Sequence, residues 1–207
     1  MKKHQILFII TLLFGIFIQG CGTENTTQVS TQKAIGESVS IVTDKPNAKM
    51  APSRHALESV SNQIANILKL HINELNEKEA ISFDKETQYC DISGVNNAKY
   101  SGDLQHIIMN NSYTSCKNIN NIQDGEIQIS YKDLDENGQF PKSLEMISST
   151  DYQFNHLTLN KNTFIKTKGI TYDKNGSIQT FSLQINGTVY NYTQKLEFNN
   201  YSHQVLF

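Results

Sequence analysis

The chain of 207 residues contains no tryptophan and none of the short motifs that announce an enzyme. No His-Glu-x-x-His pair offers a metalloprotease zinc site. No Gly-x-Ser-x-Gly turn presents a nucleophile, and no P-loop or Gly-x-Gly-x-x-Gly cradles a phosphate. His55, His71, His106, His156 and His203 are scattered, and no spacing pairs two carboxylates for acid–base work. No catalytic residue is assigned, and a non-enzymatic protein is expected. Excess positive charge is also lacking. Eighteen Lys and Arg against 20 Asp and Glu give a formal net charge of −2, which argues against a nucleic-acid partner. No regular repeat supports a propeller or solenoid.

The N-terminus is what stands out. Lys2 and Lys3 precede an apolar run from Gln5 to Ile18 that ends Ile18-Gln19-Gly20-Cys21. A charged start, a short apolar stretch and a small residue are the layout of a secretory signal peptide, too short to span a bilayer comfortably. The four residues Ile18-Gln19-Gly20-Cys21 resemble the lipobox of bacterial lipoproteins. That resemblance implies that residues 1–20 are cleaved and that Cys21 carries acyl chains such as palmitate. Residues 21–51, polar and without periodicity, then read as a lipidated N-terminus and flexible tether, with one globular domain over 52–207. Two or more acyl chains, at about 0.8 kcal/mol per buried CH₂, hold a protein stably on a membrane. Gly22 stands where Asp would favour inner-membrane retention, so the implied location is the bacterial envelope at the outer membrane.

Three cysteines leave Cys90 and Cys116 once Cys21 is lipidated. Outside the cytoplasm these two are expected to form a disulfide. The alternative, a redox or metal role, finds no second Cys or His spaced as a zinc knuckle. Acids predominate from Glu74 to Asp151 and lysines from His156 to Phe207, as on two solvated faces of one domain.

Ser53 caps an expected helix over about 53–76, in which Leu57, Val60, Ile64, Ile67, Leu68, His71 and Leu75 recur at three- and four-residue steps. With only Arg54 and Lys69 as basic residues it suits packing on a sheet better than lying on a membrane. His71, on its apolar face, is expected to be a hydrogen-bonded core residue. After Ser82 almost everything reads as strand. Ile127, Ile129 and Tyr131 share one face, as do Phe181, Leu183 and Ile185. Gln123-Asp124-Gly125, Asp135-Glu136-Asn137-Gly138, Asp173-Lys174-Asn175-Gly176 and Asn186-Gly187 are expected turns. The fold class is mainly β with one N-terminal helix (α+β). Its architecture is a curved antiparallel meander or open barrel with the helix packed on one face.

Two weak site candidates emerge. Asp133, Asp135, Asn137 and Gln139 follow the first half of an EF-hand calcium loop, but Leu144 occupies the position of the bidentate Glu. A plain hairpin turn is the competing reading, and no other cofactor is indicated. A helix followed by a meander also loosely resembles the open barrel of periplasmic lipoprotein carriers and their outer-membrane receptor. That resemblance implies an apolar cavity walled by Leu57, Ile64 and Leu68. The expected function is an envelope lipoprotein that contacts another envelope protein. The alternative is a ligand- or lipid-binding open-barrel module of the periplasm or cell surface.

Overall fold

The computed structural model describes residues 53–78 and 83–207, together with the backbone of 38–42. The signal peptide and Cys21 lie outside the described residues. Helix α1 spans Arg54–Asn76, and the Ser53 side chain accepts the Ala56 N–H at 3.2 Å as its N-cap. The strands are β1 (Ser38–Val42), β2 (Lys85–Tyr89), β3 (Ser93–Asp103), β4 (His106–Lys117), β5 (Ile122–Lys132) and β6 (Ser143–Ser148). They continue with β7 (Tyr152–Phe154), β8 (Leu157–Leu159), β9 (Phe164–Tyr172), β10 (Ile178–Asn191) and β11 (Gln194–Leu206).

All pairings are antiparallel, in the order β1-β11-β10-β8-β7-β5-β4-β3-β2, with β6 and β9 paired to each other. One edge of β5 carries β6 at 127–132 and β7 at 123–124. One edge of β10 carries β9 at 178–186 and β8 at 189–191. The strands β5, β6, β9, β10, β8 and β7 therefore close a six-strand antiparallel barrel circuit, with the other strands added on its flanks.

Inside that circuit two short connections meet, and hydrogen bonds sew them together. Ser148 Oγ donates to the Asn160 carbonyl and accepts the Thr163 N–H at 3.0 Å, while Thr163 Oγ1 donates to the Thr188 carbonyl at 2.9 Å. The backbones come so close that two positions require glycine. A Cβ on Gly125 (φ 96°) would lie 2.2 Å from the Asp151 carbonyl oxygen, and one on Gly187 (φ 132°) would lie 2.8 Å from the Thr163 Cα. This corrects two expected turns. Gln123-Asp124-Gly125 lies within β5, and Asn186-Gly187 is a β-bulge inside β10, whose register shifts between Ile185 and Gly187. The chain reverses instead at 192–193. A third correction concerns the tether: within 21–51, Ser38–Val42 forms β1 on the edge of β11.

The helix buries its stripe against the inner face of the sheet. Val60, Ile64, Ala65, Ile67, Leu68 and Ile72 are fully enclosed with Ile127, Ile129, Tyr131, Phe181, Leu183 and Ile185. Full burial of such aliphatic side chains contributes roughly 1.5–3 kcal/mol each. Cys90 and Cys116 are bridged, with Cα atoms 5.5 Å apart.

Candidate functional site

The helix–sheet interface is closed. Ile64 and Leu68 have 0% exposure, so no water-sized space adjoins either side chain, and Leu57 packs half-buried against the same core. The side chains expected at a cavity wall are core in this structure, because the inward residues of β5 and β10 fill the space that a lipid chain would need.

A buried polar group lies in this interface. His71 is fully enclosed, with Nδ1 2.8 Å from Glu74 Oε2, and its backbone carbonyl accepts the Tyr131 hydroxyl at 3.0 Å. Asn111 Nδ2 donates to the Tyr113 hydroxyl at 2.9 Å, and the Tyr152 hydroxyl donates to Gln123 Oε1 at 2.7 Å. Burial pushes the Tyr113, Tyr131 and Tyr152 phenols well above the ordinary tyrosine range, so all three remain neutral. Apart from the partly exposed Glu74, this network is buried between helix and sheet and holds them in register. It realises the core histidine expected from the helical periodicity.

The connection β5–β6 holds the four candidate calcium ligands and uses them otherwise. Asp135 Oδ1 accepts the N–H groups of Asn137 (3.2 Å) and Gln139 (2.6 Å), and the Gln139 carbonyl accepts the Asp135 N–H at 2.8 Å. Asp133 (φ 54°) and Asn137 are exposed. The Gln139 amide donates to the carbonyls of Asn76 (3.2 Å) and Lys78 (3.3 Å), closing the end of α1. The loop is thus a hairpin turn that caps a helix from a distance. Among the described residues, no three or more His, Cys, Asp or Glu side chains gather as a metal site.

That capping builds a cleft of about 330 Å³, lined by Lys69, Asn73, Asn76, Phe140, Asn175 and Ser177 among others. Phe140 forms its wall. Its backbone is held at φ 51°, a conformation costly for a bulky residue, of order 1–3 kcal/mol. Its N–H donates to Asn76 Oδ1 at 3.2 Å, and its ring meets Tyr172 edge-on at 5.2 Å. The Tyr172 hydroxyl donates to the Pro141 carbonyl at 2.8 Å, and burial, with the Asp135 charge added, pushes its pKa up. Lys69 Nζ sits 4.4 Å over the Phe207 ring. The side-chain amides of Asn73 and Asn175 make no hydrogen bond among the described residues, so both are available to a ligand. Sequence reasoning missed this site, because its walls come from α1 and two hairpins far apart in the chain. The doubled turn code around Gly138 and Gly176 was its only trace.

A second depression, about 400 Å³, lies between Lys85, Asn97, Lys99, Asn110 and Glu126. Several of its polar groups already have partners. Thr87 donates to Asn97, Gln128 to Asn110 and Ser112 to Glu126, which leaves less for a ligand. Compared with known proteins, the chain matches no family model, no curated protein and no solved structure.

Proposed function

We propose that the protein is a lipid-anchored, non-enzymatic binding module of the bacterial envelope, and that the cleft beside Phe140 engages an exposed segment of another envelope protein. The anchor reading rests on Ile18-Gln19-Gly20-Cys21. The cleft carries the binding reading. It sets the unbonded amides of Asn73 and Asn175, the Lys69 cation and the Glu77 acid around an aromatic wall held in a strained backbone, and such a surface recognises polar chain with one apolar side chain. Its volume also falls in the range of small-ligand pockets, which favours a polar small molecule as the second reading.

Photo-crosslinking from position 175 in the native host tests the proposal. An adduct with one envelope protein, lost in Phe140→Ala, is the expected result. Absence of any adduct, or turnover of a substrate by the purified protein, overturns it. Intact mass of the native protein beside Cys21→Ala tests the anchor separately.

A further inference from the structure

The end of the meander away from the cleft is formed by four hairpin tips, β2–β3, β4–β5, β7–β8 and β10–β11, which lie in a row because their strands are neighbours in the sheet. Each tip is bonded to the next. Ile92 N–H donates to the Lys117 carbonyl at 2.9 Å, and Asp91 N–H to Asn118 Oδ1 at 3.0 Å. Asn155 N–H donates to the Ile122 carbonyl at 2.8 Å, and Ile122 N–H to Asn155 Oδ1 at 2.9 Å. Tyr192 N–H donates to the His156 carbonyl at 3.1 Å, and the two rings stack 4.2 Å apart. The disulfide Cys90–Cys116 pins the first tip to the second.

This sewn rim points apolar side chains outward. Tyr89 is 85% exposed, Ile119 76%, Tyr192 73%, Ile92 57% and Ile122 43%. Its tips carry one acid, Asp91, and one base, Lys117. The opposite end carries the acids Glu77, Asp103, Asp133, Asp135, Glu136 and Asp173 against the bases Lys78, Lys142 and Lys174, a net negative charge. We infer that the rim rests on the bilayer surface, with its tyrosines at the headgroup level and its isoleucines against the acyl chains. This inference rests on the lipid-anchor reading. Tyr and Ile on a rigid, near-neutral edge suit that interface, whereas the acid-rich end is repelled by an anionic one. Reach permits it. Ser38 pairs with Asn199, about 20 Å along β11 from the 192–193 turn. The 17 residues from Cys21 to Ser38 extend to at most about 60 Å. The cleft is thereby presented away from the membrane.

Because the chain has no tryptophan, single Trp probes report position directly. The full acylated protein carrying Ile119→Trp, Tyr192→Trp or, at the other end, Leu104→Trp is reconstituted in phosphatidylcholine vesicles with brominated acyl chains. Intact mass is read on each sample. Acylated Cys21 with blue-shifted, bromine-quenched emission at 119 and 192 and none at 104 is the expected result. Acylated Cys21 with rim probes quenched by aqueous iodide instead overturns the inference, leaves the anchor standing and frees the rim for a protein occupant. An unmodified Cys21 overturns both.

Discussion

At one end of the molecule the hairpin tips are short and side by side; at the other, the connections 133–142 and 173–177 are longer and lie beside the end of α1. The row of tips satisfies its backbone N–H groups from the next tip along, through backbone carbonyls and the short side chains of Asp91, Asn118 and Asn155, so Tyr89, Ile92, Ile119 and Tyr192 are left to face outward. The far end spends side chains on that accounting: Gln139 and Asn76 bond backbone, and Asp135 and Asp173 close their own turns. What differs is the supplier of the bonds that buried and half-buried backbone requires. Where neighbouring tips supply them, side chains form a surface. Where side chains supply them across elements, they enclose a cleft.

Removing the disulfide tests the rim most severely. Cys90→Ser with Cys116→Ser opens a link of sequence separation 26 and is expected to cost about 3.5 kcal/mol in the chain-entropy model. Urea unfolding measures it, and a loss below about 1 kcal/mol would mean that the inter-tip hydrogen bonds alone stiffen the rim. At the far end, Gln139→Ala strips two carbonyls at the end of α1 of their donor, for about 1–2 kcal/mol. Amide exchange should quicken in the last turn of α1 and at Phe140 and stay unchanged at Ile122 and Tyr192. Acceleration at both ends would show that the ends are not independent.

A smaller, pH-dependent effect belongs to Glu145, bridged to Lys132 at 2.7 Å and Lys166 at 2.5 Å across β5, β6 and β9. Hydrogen bonds from Lys132 and then Lys166 lower its pKa below the ordinary 4.5. A lowered folded-state pKa makes this contribution complete above the unfolded value and lost as pH falls through the folded one. The groups are partly exposed, so Glu145→Gln should cost under about 1 kcal/mol near neutrality. The gap from the parent protein should close below about pH 4.5, as thermal melts across pH would record. The smallest stability effect is expected from Tyr192→Ala, within about 0.5 kcal/mol at so exposed a position. The same change should weaken vesicle contact at the rim, which separates surface from scaffold.

Local signals carried the helix and the alternating strands. Ser53 caps α1 with its own hydroxyl, His71 lies inward as its spacing required, and Ile127, Ile129 and Tyr131 share the buried face. Asp173-Lys174-Asn175-Gly176 turns as its residues dictate, because an Asx turn is closed within five residues. The same code misled at Asn186-Gly187, where Thr163 from another strand needs the missing Cβ. Asp133 to Gln139 forms the hairpin turn that its residues also allowed, but its second role was not local, since the Gln139 amide answers carbonyls more than sixty residues earlier.

By itself the sequence determined the helix, the inward faces of α1, β5 and β10, the Cys90–Cys116 candidate pair and the lipobox-like start, all of which depend on neighbours within a few residues or on covalent chemistry. Only the tertiary structure decided that the space beneath α1 is filled, that Phe140 walls a cleft, and that four tips join into one rim. Each of those depends on surfaces that remote segments bring into contact, and side-chain volume and backbone hydrogen bonds are balanced only once the sheet has curved around the helix.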